Sequence, residues 1–208
     1  MKYGDLTLGR IEAIVNKLGG MDGVKRLLSG ELIVVEKTNV RFKVWKTIKL
    51  GTIKLSTSIE DPLFDFRQTL KKNRVFANDY VNAVFNTPAF KKSVALNETE
   101  VKLTVVSIRE LGFDGGVPLR EACYYAQAFG LRLCPAEVGP QLALQHKNQP
   151  ADEHLIIGME PILIGSDKVV FYLRRDENFK CNALKLITNG LNAACVPQDR
   201  LVFLAPSV

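Results

Sequence analysis

Histidine is nearly absent from this chain: 208 residues hold two, His146 and His154, beside one tryptophan and four cysteines. The cysteines, Cys123, Cys134, Cys181 and Cys195, form no CxxC pair, so their spacing argues against a structural zinc built from them. In a chain of this size without an export-signal pattern, buried free thiols are the expectation. No apolar run approaches the roughly 18 to 20 residues needed to cross a bilayer. The first twenty residues carry Lys2, Asp5, Arg10, Glu12 and Lys17 in an amphipathic pattern instead of a signal-peptide core. Internal repeats and low-complexity linkers are missing. So is a phosphate-cradling loop: FDGGVP (113–118) sets glycines ahead of a helix but lacks a Walker lysine and the dinucleotide spacing. Together these absences predict a cytoplasmic protein with no membrane partner and no cofactor.

What is present is ordinary in bulk and uneven in detail. The apolar share of 47% and charged share of 24% are those of a globular protein, and the length suffices to bury a core without staples. The net charge of +6 is concentrated: residues 1–54 hold eleven Lys or Arg against five Asp or Glu, while residues 55–208 hold seventeen of each. A basic first quarter favours an acidic partner, nucleic acid or acidic protein, although a solvated surface explains the same charges.

Along the chain, Leu8, Ile11, Val15 and Leu18 form one helical stripe, with Thr7 as cap and Gly19-Gly20 as stop. Asp22 is placed to cap a short second helix that turns Val24, Leu27 and Leu28 to the same core. The basic residues Arg10, Lys17, Lys25 and Arg26 invite comparison with a helix-turn-helix, but the second helix is too short to read base edges. From Glu31 to Ser56 the period drops to two, giving one or two strands that gather Lys43, Lys46, Lys49 and Lys54 around Trp45. Asp61-Pro62 starts a helix carrying Leu63, Phe66 and Leu70 and ending at Lys71-Lys72. Another helix starts near Asn78-Asp79 and stops before Pro88. Residues 100–108 read as a strand, residues 118–130 as a helix with Cys123 in its core stripe, and LRLC (131–134) as the return strand.

From about Leu142 onward the pattern predicts four or five antiparallel strands, with hairpins at Gly165-Ser166-Asp167 and at Asn189-Gly190. QHKNQPADEH (145–154) reads as an exposed loop. The resulting fold class is α+β in one globular domain of residues 1–208: a helical N-terminal half with a short basic β segment, then a C-terminal antiparallel sheet. A subdivision at residue 130 separates a mainly helical part (1–130) from a mainly β part (131–208).

Five segments, WKTIKLGT (45–52), NTPAF (86–90), ETEVKLTVVSIRELGF (98–113), LCPAEVGPQLALQHKNQP (133–150) and IIGMEPI (156–162), resemble a recurring family of bacterial proteins of no assigned activity. The resemblance implies a bacterial or phage-like origin and a single coherent domain. It transfers no activity and no catalytic residue. Beyond about residue 165 the chain departs from that family's pattern, which is richer in tryptophan and glycine.

The stretch 130–162 holds Cys134, both histidines and four of the nine prolines, so candidate chemistry starts there. Cys134 as a nucleophile, with His146 or His154 as its base and Glu137 orienting the imidazole, would make a small cysteine-dependent hydrolase. Against it stands a plain buried cysteine before Pro135 with two loop histidines. The same residues with Glu160 are zinc ligands by type, but intervals of twelve and eight residues do not pre-form a site, and no metal is expected. Glu98, Glu100, Glu110 and Asp114 are candidate acid pairs, although surface strands commonly carry such pairs. The reading preferred over catalysis is a binding or regulatory protein that engages nucleic acid or an acidic protein through Arg41, Lys43, Trp45, Lys46 and Lys49. A core role for Trp45 is the competing explanation.

Overall fold

A computed structural model of the chain describes residues 7–32, 34, 42–51, 64–151, 153–176, 180–189 and 192–206. The chain divides into two compact units, Met1–Thr38 and Asn39–Val208. In the first, α1 (Leu8–Lys17) and α2 (Met21–Leu28) form a hairpin. Thr7 caps α1 by accepting from the Arg10 N–H, and Gly19 and Gly20 take φ of 87° and 83° in the turn. Asp22 is not the cap of α2: it lies within the first turn, 4.0 Å from Lys25, and Gly20 holds the cap position. Nor does α1 bury the stripe predicted for it. None of its residues is buried, and Leu8 is 83% exposed.

The second unit is mixed α and β, built on a large, mostly antiparallel sheet. Its strands are β1 (Val44–Leu50), β2 (Thr99–Ser107), β4 (His154–Ile157), β5 (Ile162–Ile164), β6 (Asp167–Asp176), β7 (Cys181–Ile187) and β9 (Arg200–Leu204). A separate pair joins β3 (Val117–Pro118) to β8 (Ala194–Cys195). The helices are α3 (Phe64–Lys72), α4 (Asp79–Phe85), α5 (Pro88–Ser93), α6 (Leu119–Ala128) and α7 (Val138–Gln145). The sheet runs β1-β2-β9-β4-β6, with β5 continuing the β4 side of β6 and β7 on its far side. The last strand, β9, thus lies inside the sheet, antiparallel to β2 and parallel to β4. The expected wholly antiparallel C-terminal sheet is corrected at that point, and β1 and β2 from the first half of the chain belong to the same sheet.

Several local expectations hold. Asn78 caps α4 by accepting from the Val81 N–H at 2.9 Å, Gly165 turns β5 into β6, and Gly130 closes α6 with φ 89°. Others fail for tertiary reasons. Asn189 has the positive φ a tight turn needs, yet β7 pairs with β6 and β8 with β3, so no hairpin joins them. LRLC makes only isolated bridges, Arg132 to Leu204 and Cys134 to Met159. Residues 142–145 are the end of a helix and not the first strand of the sheet. Asp61-Pro62 lies outside the described residues.

The sheet is strongly curled, and α7 shows it. Laid flat, six strands would hold their edges about 24 Å apart, whereas an eight-residue helix is about 12 Å long. Here Gln145 of α7 exchanges hydrogen bonds with the Lys49 backbone on edge strand β1, 3.1 and 2.8 Å. The next carbonyl, of His146, accepts from Asn182 on the opposite edge strand β7 at 2.7 Å. Both edges therefore reach the same end of one helix, and α7 fills the gap between them.

That position explains the composition of α7. Val138 to Ala143 are all buried, and Gly139 faces Phe171 so closely that a Cβ there would meet the ring at 2.8 Å. Phe171 in turn packs with Phe85 and Phe90, the latter pair 4.9 Å apart between centroids. The outer edge of β7 is covered separately: Phe76 N–H donates to the Asn182 carbonyl and the Phe76 carbonyl accepts from Leu184. Each edge is thus covered in part, which shortens the exposed ladder that could template pairing with another chain.

Candidate functional site

Glu137, a candidate by residue type to orient an imidazole, is a fully buried brace. One carboxylate oxygen accepts from Gly51 N–H at 2.9 Å and the other from Ala95 N–H at 2.7 Å. Four residues on along α7, Gln141 donates to the Gly51 carbonyl at 2.9 Å and to Glu137 at 3.1 Å. After another four comes Gln145 with its pair of bonds to Lys49. The i, i+4, i+8 stripe Glu137, Gln141, Gln145 lies along one side of the helix and gives the end of β1 hydrogen-bond partners that no other described strand supplies.

Cys134 is likewise structural. Its buried thiol donates to the Val202 carbonyl at 3.5 Å, while His146 holds Glu153 at 3.0 Å and Lys46 at 3.4 Å. His154 is exposed on β4, opposite Arg174. The proposed nucleophile, base and orienting acid are not joined by hydrogen bonds among the described residues, and no three His, Cys, Asp or Glu side chains gather there as metal ligands.

Burial pushes the Cys134 thiol up, away from the thiolate a nucleophile requires. It raises Cys123 from an ordinary 9.0 to about 12, helped by Cys195 and Glu160 nearby. A native thiol that keeps its proton while the unfolded chain loses it contributes stability fully below about pH 9, and that contribution fades as pH climbs toward 12. Urea stability measured between pH 7 and 10.5 is therefore expected to fall above pH 9 by up to about 1.4 kcal/mol per pH unit for each such thiol. Cys123→Ala should flatten the decline, and an unchanged slope would contradict this account.

The basic segment predicted to bind is partly spent on the fold. Arg41 lies outside the described residues. Lys43 is exposed. Trp45 sits at a β-bulge in β1, half-buried, with its ring edge-on to His146 at 5.1 Å. Lys46 turns inward to the Gln145 carbonyl and His146 Nδ1; burial pushes its pKa down, with Glu153 opposing. His146 thus bridges Lys46 and Glu153 through its two ring nitrogens. Glu153 also takes Arg200 at 3.1 Å. Lys49 is paired with Glu98 at 3.0 Å.

A different basic surface is open. Between α3, residues 73–77, the end of α7 and the start of β7 lies a cleft of about 910 Å³. Arg67, Lys71, Arg74, Lys147 and Lys180 line it, with no carboxylate among the described lining residues. None of the five forms an ion pair among the described residues, and all but Arg67 are exposed. Arg74 and Lys180 hold left-handed backbones, φ 56° and 48°, a conformation costing non-glycine residues of order 1 kcal/mol or more.

The cleft floor is apolar, formed by Leu70, Val75, Ala143 and Leu144, and Phe76, 39% exposed, lines it too. Two buried polar atoms of the lining, Arg67 Nε and Asn182 Oδ1, have no hydrogen-bond partner among the described residues. Asn182 is held by its amide nitrogen, which donates to the Ala143 and His146 carbonyls.

Sequence reading missed this site because its cations come from four separate segments. Lys71 had been explained by the helix dipole, and Lys147 had been assigned to a loop. The one local hint was that residues 67–74 hold four cations. No protein-family profile, curated protein or solved structure matches the chain. Among the described residues no helix is long and apolar enough to cross a membrane.

Proposed function

We propose that this protein binds an anionic partner and that the cleft between α3, α7 and β7 is where the partner sits. The observation that carries the reading is the convergence of five cations from four segments with no carboxylate among the described lining residues. Like charges gathered without counterions raise the local potential, which attracts and orients an anion. The role needs no catalytic group. It keeps the acidic partner inferred from composition but moves the contact from residues 41–49, where Lys46 and Lys49 already have partners, to the cleft.

Binding of inorganic polyphosphate tests it. The triple reversal Lys71→Glu, Lys147→Glu, Lys180→Glu is expected to weaken binding by more than 100-fold at 50 mM salt, whereas Lys43→Glu with Lys49→Glu changes it less than about 3-fold. The opposite ranking would return the site to the basic β1 segment. Cys181, half-exposed in the cleft wall, adds a positional readout. Iodoacetamide should alkylate Cys181 first in the native protein, and polyphosphate should slow it.

A further inference from the structure

We infer that the α1–α2 hairpin is a dimerisation module whose apolar face packs against the same face of a second copy of this chain. The surface is separate from the anion-binding cleft, and the inference does not rest on that reading.

Sequence spacing makes each helix one-sided. At 3.6 residues per turn, Leu8, Ile11, Ile14, Val15 and Leu18 fall within an arc of about 120° around α1 and its C-cap. Met21, Val24, Leu27 and Leu28 fall within a similar arc around α2. The hairpin covers only part of these arcs. Val15, Leu18, Val24 and Leu27 are half-buried, and Gly23 lies so close to the end of α1 that a Cβ there would meet the Leu18 carbonyl oxygen at 1.6 Å. The two helices therefore have no slack at that point. The remaining apolar side chains are bare: Leu8 is 83% exposed, Leu28 82%, Met21 61%, Ile14 50% and Ile11 43%.

Two such helices cannot build a core by themselves. Their unit, Met1–Thr38, falls below the roughly 40 residues under which a fold usually needs a disulfide, a metal or an oligomer, and it contains no cysteine. Isolated helices of ten and eight residues are also marginal in water.

Charge selects a second copy as the partner. Residues 1–38 carry six Lys or Arg against five Asp or Glu, whereas residues 39–208 carry twenty-two against seventeen. A nearly neutral unit does not repel its own image and does not favour an acidic surface. Area agrees with this choice. Each Leu, Ile or Met side chain that becomes buried removes about 60 to 120 Å² of apolar surface from water. Five from each copy bring together about 600 to 1,200 Å², near the roughly 1,000 Å² that a specific interface needs. Pairing two hairpins gives a four-helix layer around those side chains, and because both copies offer the same patch the assembly closes at two. An interface of this size, at the weak end of the range, predicts a dissociation constant of about 10 µM.

Sedimentation velocity of the full-length protein, from about 1 to about 200 µM, tests the inference. The mass is expected to rise from one chain to two with a midpoint of about 10 µM, and about 1 M NaCl should leave that midpoint unchanged or lower it, because apolar burial is not screened. Leu8→Glu with Leu28→Glu should weaken association at least about 30-fold by setting like charges face to face. At about 1 µM, where the wild type is monomeric, the double variant should melt at the wild-type temperature, since both side chains are exposed in the single chain.

A protein that stays monomeric at the highest concentration overturns the inference. So does a dimer that the double variant leaves intact, or one that high salt dissolves. Two further outcomes overturn it by naming another occupant. A monomer whose melting temperature falls in the double variant covers this face with its own chain, and a monomer recruited by phosphatidylcholine vesicles uses it to meet lipid.

Discussion

Glu137→Ala is expected to destabilise the fold by about 4 kcal/mol, among the largest effects of any single substitution of a polar residue in this chain. The carboxylate is fully buried and holds two backbone N–H groups, of Gly51 and Ala95, on its two oxygens. Deleting it strands both donors and the Gln141 amide beside them, and each unsatisfied buried group costs about 1 to 3 kcal/mol. Gly51 cannot shift to compensate. At φ 133° its missing Cβ would lie 2.5 Å from Glu98 Cα, so the position admits only glycine; its N–H is held by this one acid and its carbonyl by Gln141.

Glu137→Gln sharpens the argument. Its amide oxygen can serve one N–H, but its NH2 then faces the other donor, so about half the loss should remain. Urea unfolding of the three proteins checks the order wild type, Gln, Ala. A Gln variant as stable as wild type would mean the charge and second acceptor are unimportant. A catalytic Glu137 would give a different signature, loss of activity with stability kept, because removing a functional group from an active site normally spares or raises stability.

Much of the fold's local detail was legible because it is written in short-range chemistry. Asn78 and Thr7 cap helices where the pattern put them, and Gly130 and Gly165 turn where positive φ was needed. Strands β2, β6 and β9 follow their β-branched alternation. What was not legible depends on partners far away in the chain. The segment from Leu142 reads as the start of the sheet but is the end of α7, whose buried face is nearly continuous because it fills the gap in a curled sheet. β9 is the last strand in sequence but lies inside the sheet, and nothing local in DRLVFLA separates an inner strand from an edge.

The site followed the same division. Lys46, Trp45, His146 and Glu137 were singled out by residue type, and the structure brings the first three together, yet as a brace between β1 and α7. Residue type marked them as polar groups with something to hold. It did not say that the object held was backbone. The cleft was invisible for the complementary reason: Lys71, Arg74, Lys147 and Lys180 are each unremarkable in their own segment, and only the curl of the sheet assembles them.

The packing that produces this curl is tested by Gly139 and Phe171. Phe171→Ala should cost about 4 kcal/mol, since the ring is fully buried against Phe85 and Phe90 and leaves a large cavity. Gly139→Ala fails in the opposite sense. Its new methyl would lie 2.8 Å from the Phe171 ring and 3.0 Å from its Cβ, forcing α7 away from β6, and overpacking of that kind costs about 1 to 3 kcal/mol. The two should not add. With Phe171→Ala the ring carbons at 2.8 Å are gone and only the Cβ at 3.0 Å remains, so the methyl is largely relieved and the double variant should be at least about 1 kcal/mol more stable than the sum of the singles. Lifting α7 also draws Gln145 from Lys49 and the His146 carbonyl from Asn182, so Gly139→Ala should loosen both sheet edges together. Hydrogen exchange of the Lys49 and Gly51 amides, accelerated in Gly139→Ala and restored in the double variant, would show that one helix holds the two edges. Unchanged exchange at Lys49 would show that β1 keeps its place without it.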